Sequence, residues 1–549
     1  MPLEILDSAR AKALSPRLST DEIRRIQTLG ELHRFAPAQC LFVTGEISPG
    51  MFVITKGSVA VKRRDPLGHL APIIKQGPGE FLAEIAQLSG RPALVDAQAV
   101  TNVEALLVPA QQLRNLMIVE PEIGDKIMRA LILRRVALME LGAGGPVFVG
   151  PENDPNIVRL QGFLTRNAYP YQVLDPAEDT DAATLAAQYA PNSDCLPLAV
   201  CPNGTILRNP SEAELANALG LVPADDINRT YDVAVIGAGP AGLATAVYAA
   251  SEGLSVIVLD KAAFGGQAGA SARIENYLGF PIGVSGRELT GRAYIQAQKF
   301  GAEVIIPEEV TGIDFSNGIL IQCGTRRISA MAAVIACGAH YRRPAAKNLT
   351  EFEGRGVWYW ASPIEARLCR GQEIAIVGGG NSAGQAAAFL CRHVAKIYIL
   401  VREKNLSESM SQYLIDRIKA AGNIEVLTET ELVELSGSVS GRLECIRWRH
   451  NPTNCYTDKR ISNLFVFIGV APATAWLSQS GIELDAKGFV YTGAYSSDRS
   501  NADGRLSLQS NIAKVFAVGD VRSGSVKRVG SAIGDGAAVV PQLHEVLSP

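Results

Sequence analysis

The chain has 549 residues, of which 47% are hydrophobic and 19% charged, and its formal net charge is −3. This length exceeds what one hydrophobic core can serve, so several domains are expected. The nearly balanced charge argues against a nucleic-acid partner, because affinity for a phosphate backbone depends on clustered lysine and arginine. No apolar stretch is long enough for a transmembrane helix, so no membrane span is expected.

The nine cysteines are scattered without the spacing of a metal site or of a disulfide framework, so we expect no metal and reduced thiols. Reduced thiols are typical of a cytoplasmic protein. The first residues, MPLEILDSARAKAL, lack the basic segment and apolar run of a secretory signal. A cytoplasmic location is therefore predicted.

Residues up to about 120 contain short strand-like runs between glycine turns, for example LFVTGE and MFVITKGSVAVKRR. The next run, from about 120 to 142, has helical apolar spacing and ends at GAGGP. Within the first part, GEFLAEIAQL begins at Gly79 and is followed by Arg91-Pro92-Ala93. This segment resembles the phosphate-binding cassette of cyclic nucleotide-binding domains. The resemblance implies a β-roll domain with a C-terminal helix over residues 1–142.

The cassette implies a cyclic nucleotide as a possible effector. Glu84 would accept a hydrogen bond from the ribose, and Arg91 would bind the cyclic phosphate beside the N–H groups of a helix start, Ile85 among them. Two positions depart from the family. Ala83 replaces the usual Gly, and Pro92 removes both the hydroxyl and the N–H of the usual Ser or Thr. The alternative is a degenerate roll used for dimerisation or docking.

Residues 147–222 alternate strand, helix, strand and helix, followed by two strands in LPLAVCPNGTILRNP and a last helix. This pattern resembles a thioredoxin/glutaredoxin-type α/β fold, which we expect over 146–222. Pro197 stands where that fold places its cis-proline. The position of the dithiol loop reads GPENDP from Gly150, so this module is expected to lack a redox pair, with Cys201 as a strand residue.

From Thr230 onward the chain repeats a strand, a glycine-rich turn and a helix, which indicates α/β architecture. The strand YDVAVI enters GAGPAG, and the next strand, LSVIVLD, ends in an acid. The first Gly allows the tight turn, the second lets the backbone approach a pyrophosphate, and the third lets the helix pack on the strand. The helix start supplies N–H groups to the phosphates, and the acid can accept from an adenosine ribose. The residues assigned to this FAD turn are Gly237, Gly239, Pro240, Ala241, Gly242 and Asp260.

Four further segments read FGGQ, IENYLG, ACGA and VFAVGD. Together with GAGPAG they resemble the low-molecular-weight thioredoxin reductases over essentially all of residues 230–549. The resemblance implies an FAD-binding domain over 230–345 and 475–549, interrupted by an NAD(P)H-binding domain over 346–474. It gives flavin contacts to Gln267, Asn276 and Asp520, and it places Arg528-Val529 where the family has Arg-Gln. The FAD residues implied in this way are Gly265, Gly266, Gln267, Asn276, Ala336, Gly338, Gly519, Asp520, Arg528 and Val529.

A second phosphate-binding turn follows the strand EIAIV and consists of Gly378, Gly379, Gly380, Asn381, Ser382 and Ala383. The next strand ends in Val401-Arg402-Glu403-Lys404, where NADPH-dependent members of the resembled family carry His-Arg-Arg. A guanidinium suits a 2′-phosphate, whereas a free acid favours the ribose hydroxyls of NAD. NADPH is therefore predicted, with NADH less favoured, and Arg402 and Lys404 are its expected readers.

No Cys-x-x-Cys occurs anywhere in the chain, although the resembled family places one against the flavin. When the chain is aligned by Tyr359, the two cysteine positions hold Trp360 and Pro363. Cys369 lies near the end of the same short helix and is expected to be an inert buried thiol. Hydride transfer from a nicotinamide needs proximity and orientation more than acid/base groups, so the catalytic side chains stay unknown.

The sequence thus predicts a multidomain FAD-dependent NAD(P)H oxidoreductase, thioredoxin reductase-like but without the redox dithiol, as a cytoplasmic homodimer. Electrons from NADPH would pass through the flavin to an unidentified acceptor, such as a quinone, an iron–sulfur protein, oxygen or a disulfide protein. Two alternatives stay open. One is a thioredoxin-disulfide reductase that uses unconventional cysteines such as Cys369, and the other is a flavin-based redox sensor or scaffold.

Overall fold

The computed structural model describes residues 14–548, except 65–68, 84–85, 153, 191–194, 223–228, 272, 317, 325, 438–440 and 494–504. The described chain divides into two compact units. The first comprises the described part of residues 1–228 together with 250–263 and 295–309, and the second comprises the remainder.

An antiparallel β-roll begins the first unit. Its strands are β1 (Glu31–Phe35), β2 (Cys40–Phe42), β3 (Gly50–Lys56), β4 (Val59–Arg64), β5 (Leu70–Gln76), β6 (Phe81–Leu82), β7 (Asp96–Ala99) and β8 (Val103–Pro109). They form two four-stranded sheets, in the orders β1-β8-β3-β6 and β2-β7-β4-β5. The helices of this part are α1 (Thr20–Ile26), α2 (Ala86–Ser89), α3 (Ala110–Val119) and α4 (Pro121–Leu141).

Local sequence explains where the longest of these helices begins and ends. Pro121 occupies the first turn of α4, where its missing N–H would have no intrahelical partner. Gly142 ends the helix with φ of +59°, a left-handed conformation that costs glycine little. The helix thus ends at the glycine-rich GAGGP run that follows it in the sequence.

A mixed α/β module follows the roll. Its elements are β9 (Val147–Val149), α5 (Pro155–Arg166), β10 (Gln172–Leu174), α6 (Thr180–Tyr189), β11 (Leu198–Val200), β12 (Ile206–Arg208) and α7 (Glu212–Ala218). The sheet order is β10-β9-β11-β12, with β9 parallel to β10 and the other two pairs antiparallel. The order of elements is the predicted one, and the Leu196–Pro197 peptide bond is cis. Gly150 lies next to Pro197, because a Cβ on Gly150 would be 3.6 Å from the proline Cβ.

One hydrophobic core joins the roll to this module. It contains Phe52 and Leu94 of the roll and Phe148 and Phe163 of the module, all buried to 2% exposure or less. Where the two meet, the backbones lie close, since a Cβ on Gly144 would be 1.9 Å from the carbonyl oxygen of Leu94. The two parts of the first unit therefore share their apolar packing.

The first sheet of the second unit carries the GAGPAG turn. Strand β18 (Arg326–Ile335) lies between parallel partners β13 (Thr230–Ile236) and β29 (Val515–Ala517), and β17 (Ile319–Cys323) and β16 (Gly312–Asp314) extend the sheet as antiparallel strands. In the first unit, β14 (Val256–Leu259) pairs in parallel with β15 (Glu303–Ile305). The helices of this part of the chain are α8 (Pro240–Ser251), α9 (Gly266–Gly269) and α10 (Gly286–Lys299).

A second sheet of the second unit carries the GGGNSA turn. Its strands are β20 (Val357–Trp358), β21 (Glu373–Val377), β22 (Lys396–Leu400), β23 (Ile424–Leu427) and β27 (Leu464–Val466), all parallel, in the order β20-β27-β21-β22-β23. A meander of β24 (Thr430–Gly437), β25 (Leu443–His450) and β26 (Cys455–Arg460) is antiparallel, as is the pair of β19 (Ala339–Tyr341) with β28 (Val470–Pro472). The remaining helices are α11 (Pro363–Leu368), α12 (Asn381–Leu390), α13 (Gln412–Ala420) and α14 (Val529–Leu547).

None of the described helices has both the length and the apolar character that crossing a membrane requires. Within the same residues, no three His, Cys, Asp or Glu side chains come together in an arrangement that could hold a metal ion.

Candidate functional site

The turn between β13 and α8 has the geometry of a pyrophosphate cradle. Gly237 has φ of +114°, and a Cβ there would be 2.3 Å from the carbonyl oxygen of Ala336. A Cβ on Gly242 would be 1.9 Å from the carbonyl oxygen of Gly237, so only glycine lets α8 pack this closely on the strand. Gly239 differs, because no heavy atom lies within 4 Å of its Cβ position. The open side of the turn is therefore at Gly239, where the phosphates of FAD fit beside Pro240 and Ala241 at the helix start.

The segment FGGQ folds over this turn. The N–H of Gly265 donates to the carbonyl oxygen of Ala238 over 2.7 Å, and a Cβ on Gly266 would be 3.2 Å from the Cα of Gly239. Gln267 follows at the start of α9, and its side-chain amide donates to the carbonyl oxygen of Ala339. The structure thus brings Gly265, Gly266 and Gln267 to the cradle, together with the chain that leaves β18 through Ala336 and Gly338. Asn276 is exposed, in the IENY segment whose Ile274 is buried.

The last predicted flavin segment packs on the start of α8. The N–H of Gly519 donates to the carboxylate of Asp535 over 3.0 Å, and a Cβ on Gly519 would be 2.8 Å from the Cβ of Ala241. Burial raises the pKa of Asp520, while the charge of Lys527 opposes this effect. The Lys527 ammonium donates to the carbonyl oxygen of Asp520 over 2.5 Å.

The residues that follow begin α14, and their expected flavin contacts stay predictions. Arg528 is the N-cap residue of α14, and Val529 is its first helical residue. The cation that contacts Asp520 is Lys527, which the sequence interpretation did not select. Its position one residue before Arg528 gave no separate signal, because the two basic residues are adjacent in the sequence.

Asp260 follows β14 in the first unit. Its carboxylate accepts hydrogen bonds from the backbone N–H groups of Ala262 and Ala263, at 2.9 and 3.2 Å. One carboxylate oxygen therefore shapes the turn after the strand. The predicted contact to the adenosine ribose stays a prediction.

The second glycine-rich turn, between β21 and α12, repeats the same logic. Gly378 has φ of +134°, and a Cβ there would be 2.2 Å from the carbonyl oxygen of Phe467. Gly380 is the N-cap residue of α12, and the nearest atom to its Cβ position is 4.0 Å away. Space for a pyrophosphate is thus left beside Gly380 and the first helical residues, Asn381, Ser382 and Ala383.

A loop after β22 packs against this second turn. The Ser409 hydroxyl donates to the carbonyl oxygen of Gly379 over 2.9 Å, and the N–H of Ser411 donates to the side-chain oxygen of Asn381 over 2.7 Å. The predicted 2′-phosphate readers Arg402 and Lys404 are both exposed. Between them, Glu403 is half-buried, and its carboxylate oxygen lies 3.4 Å from the Cβ position of Gly379.

A network of side-chain hydrogen bonds lies at the start of α11, the segment that the sequence analysis aligned with the dithiol of the resembled family. Ser362 caps the helix and Glu365 completes the capping box, with Pro363 in the first turn. Glu365 is 3% exposed and also accepts from the indole N–H of Trp360 over 2.9 Å. The sequence interpretation missed Glu365, although the spacing of Ser362 and Glu365 is the signature of a capping box.

Cys369 is the C-cap residue of the same helix and is fully buried. Burial raises the pKa of its thiol to about 12, so the thiolate that would act as a nucleophile is scarce near neutral pH. Burial likewise raises the pKa of Cys201, which follows β11, to about 12. All nine cysteines are free thiols.

A cavity of about 330 Å³ lies in the second unit beside Trp360. Gln267 lines it from the flavin turn, Gln385 from α12, and Phe389 and Phe467 add aromatic walls. Arg273, Arg392 and Arg417 also line it, and Arg417 pairs with Glu275 over 2.6 Å. The cavity therefore brings together residues that follow both glycine-rich turns.

The structure describes the cyclic nucleotide cassette in part, because Glu84 and Ile85 lie outside the described residues. Arg91 is half-buried. Pro92 forms a bridge with Ile47, and its ring lies 2.9 Å from the Cβ position of Gly220 in the α/β module.

The α4 helix of the roll also contacts the cassette. Arg134 donates to the carbonyl oxygen of Ala83 over 2.9 Å and to that of Leu14 over 2.8 Å. Burial lowers the pKa of Arg134 to about 10, so the side chain stays charged near neutral pH. Ala83, which replaces the usual glycine, is thus fixed through its carbonyl group.

A sequence model of the pyridine nucleotide-disulphide oxidoreductases matches residues 231–536, more than half of the chain. The chain belongs to this family. A model of the cyclic nucleotide-binding domain matches residues 32–119. The predicted fusion of a thioredoxin reductase-like oxidoreductase with an N-terminal cyclic nucleotide-binding domain is therefore confirmed.

Individual thioredoxin reductases are similar to more than half of this chain. A thioredoxin reductase of Mycoplasmopsis pulmonis is 31% identical over 317 residues, which make up 56% of this chain and 95% of that protein. One from Bacillus subtilis is 30% identical, covering 58% of this chain and 94% of the relative. The predicted enzyme class, an FAD-dependent NAD(P)H oxidoreductase, is confirmed by this membership.

Solved structures of the family give the same picture. The thioredoxin reductase of Lactococcus lactis, in its FR conformation, has a TM-score of 0.53 at 28% identity and covers 58% of this chain and 99% of its own. The enzyme of T. acidophilum has a TM-score of 0.52 at 28% identity, with the same coverage. The C-terminal flavin- and nucleotide-binding folds are thus those of the family.

Proposed function

We propose that this chain takes hydride from a nicotinamide nucleotide onto FAD and delivers the electrons to an acceptor that is not an internal disulfide. The observation that carries the proposal is the start of α11. There Trp360 and Ser362 donate hydrogen bonds to Glu365, and Trp360 and Pro363 stand at the two positions that the alignment gives to the dithiol of the resembled family. An indole and a proline ring cannot be reduced and reoxidised as a thiol pair can.

Residues on the flavin side fit FAD. The open side of Gly239 and the N–H groups at the start of α8 suit the pyrophosphate, and the Gln267 segment covers the turn. Asp520 and Lys527 would lie beside the ribityl chain and the ring, with Asp260 as the proposed ribose acceptor. When bound, FAD supplies a ring that accepts a hydride and releases electrons singly or in pairs.

The protein's part in the reaction is to bind and orient. The GGGNSA turn would seat the nucleotide, and the cavity beside Trp360 gives a planar group room between aromatic walls. Hydride transfer depends on holding the donor and acceptor carbons close and aligned, so no side chain needs to donate or take a proton in this step. Trp360 is held by Glu365, and it would limit which molecules enter.

The cavity favours a small planar acceptor, such as a quinone, over a protein disulfide. Its volume of about 330 Å³ suits a small ring system, and Trp360, Phe389 and Phe467 offer flat surfaces. Its lining arginines would attract an acceptor that bears a negative charge. An iron–sulfur protein or a partner disulfide would have to accept electrons from outside this cavity.

In our proposal the protein is a cytoplasmic homodimer, and its N-terminal domain regulates the activity of the oxidoreductase. Glu84 and Arg91 would hold a cyclic nucleotide, with Ile85 and Pro92 beside the phosphate. Pro92 already packs against the α/β module at Gly220, which supports a regulatory link between the ligand and that module. We propose a thioredoxin/glutaredoxin-type fold for the module, supported by its β10-β9-β11-β12 sheet order.

The test is an acceptor screen on the anaerobically reduced holoprotein. We expect rapid flavin reoxidation by small quinones and negligible reduction of thioredoxin disulfide. Replacing Trp360 by alanine should leave the flavin content unchanged and alter the order of quinone rates. The matched change Trp476→Ala, at a tryptophan that does not line the cavity, should not alter that order. Robust thioredoxin turnover that disappears in Cys369→Ser, but not in Cys391→Ser, would overturn the proposal.

A further inference from the structure

We infer that Glu403 makes this chain prefer NADH to NADPH, against the expectation from the sequence. The inference deepens the proposed function and rests on it, because it assumes that the GGGNSA turn seats the nicotinamide nucleotide. It follows from which side chains after β22 approach the turn and which do not.

Burial alternates along the four residues after β22. Val401 is fully buried and Glu403 half-buried, whereas Arg402 and Lys404 are exposed. Val401 and Glu403 approach the same point, since their side chains lie 2.9 and 3.4 Å from the Cβ position of Gly379. The acid is therefore directed at the turn, and the two cations extend toward solvent.

The Cβ position of Gly379 marks where the adenosine half of a nucleotide would lie. With the pyrophosphate at Gly380 and the start of α12, the adenosine ribose of such folds lies toward the end of the second strand, here β22. An acid at that point accepts hydrogen bonds from the ribose 2′- and 3′-hydroxyls of NADH. The Glu403 carboxylate is the acid that the structure supplies there.

The same carboxylate opposes NADPH. The 2′-phosphate would bring about two negative charges to the place of the 2′-hydroxyl, and like charges brought together at a binding site disfavour the complex. The phosphate also loses a cationic partner in this chain, because Glu403 stands where the resembled NADPH-dependent enzymes carry the second arginine of His-Arg-Arg. Arg402 and Lys404, both from exposed positions, would have to compensate for this loss and for the repulsion.

The experiment measures nucleotide binding separately from catalysis. Dissociation constants of the oxidised nucleotides NAD⁺ and NADP⁺ are determined on the FAD-loaded protein by calorimetry, beside stopped-flow bleaching of the flavin by NADH and NADPH. We expect NAD⁺ to bind at least about tenfold more tightly than NADP⁺. Glu403→Gln should remove most of that ratio by strengthening NADP⁺ binding. The control Glu408→Gln makes the same charge change on an exposed side chain of the same loop, and it should leave the ratio unchanged.

The outcomes separate the two proposals. Tighter binding of NADP⁺, an equal affinity for both nucleotides, no measurable binding of either, or a preference unchanged in Glu403→Gln would overturn this inference. Failure of both reduced nucleotides to bleach the flavin, while NAD⁺ still binds preferentially, would overturn the proposed function and leave Glu403 as the selector of the bound nucleotide.

Discussion

Replacing Gly239 by valine should give a folded protein without flavin. The Cβ position of Gly239 has no heavy atom within 4 Å, so the Cβ of the new side chain has open space in the FAD-free protein. The free energy of unfolding of that protein should therefore change by about 0.5 kcal/mol or less, as at other open sites. The valine would instead occupy the space into which the FAD pyrophosphate fits.

The substitution should lower the affinity of the protein for FAD. A side chain between the backbone and the pyrophosphate should weaken FAD binding by at least about 100-fold, which corresponds to about 2.7 kcal/mol. Visible flavin absorbance per chain measures occupancy, and chemical denaturation of FAD-free samples measures the free energy of unfolding. The variant should be colourless after purification and should unfold like FAD-free wild type.

Two other glycines serve as controls. Gly242→Ala would place its Cβ 1.9 Å from the carbonyl oxygen of Gly237, so it should destabilise even the FAD-free protein by about 1–3 kcal/mol. Gly534→Ala lies at an open, exposed position of α14 and should retain full flavin. If Gly239→Val retains full flavin, or is destabilised as strongly as Gly242→Ala, the cradle has been assigned to the wrong side of the turn.

The remaining predictions concern the reactivity of the thiols, the number of electrons taken up and the pH dependence of stability. Because burial raises the pKa of Cys369 to about 12, iodoacetamide at pH 8 should label the exposed Cys40 and Cys455 and spare Cys369, as mapped by mass spectrometry; early labelling of Cys369 would contradict its burial. Because the chain has no Cys-x-x-Cys at α11, anaerobic titration with dithionite should end at two electrons per FAD. Uptake of about four electrons would indicate a redox-active dithiol and would contradict this prediction. Burial opposes ionisation of Asp96, but hydrogen bonds from Arg64 and Thr44 outweigh it and lower the pKa. Arg64→Gln should therefore reduce the free energy of unfolding by about 1–2 kcal/mol at pH 7. That difference should be complete above the ordinary pKa of an unfolded aspartate, about 3.9, and should shrink as the pH falls from there through the lowered pKa of folded Asp96; a constant difference would exclude this charge as its cause.

Much of the flavin site could be predicted from the sequence because glycine spacing reports backbone geometry directly. GAGPAG and GGGNSA each require a strand before and a helix after, and the structure has both. Gly237, Gly242 and Gly378 sit where a Cβ would collide with a carbonyl oxygen, which is the reason that the sequence carries glycine there. The cis peptide before Pro197 was expected from the resemblance to a thioredoxin/glutaredoxin-type fold, which places a cis-proline there.

The features that the sequence could not predict depend on the direction in which individual side chains point. Sequence order alone does not say which of Arg402, Glu403 and Lys404 approaches the turn, because the chain bends after β22. Likewise, Lys527 and Arg528 are adjacent cations, and only the start of α14 after Arg528 shows which of them contacts Asp520. The cavity beside Trp360 is lined by five separate segments of the chain, so no local sequence pattern predicts it.

Because the roll and the α/β module share one apolar interior, the stability of each depends on the other. Cutting the chain near Gly144 would expose Leu94 in the roll and Phe148 in the module, so neither fragment should fold alone into a well-packed protein. The pair should instead melt as one cooperative block, and anything that tightens the roll should tighten its neighbour as well. An effector bound to the roll could in this way change the stiffness of the module that precedes the oxidoreductase in the chain, through that shared interior.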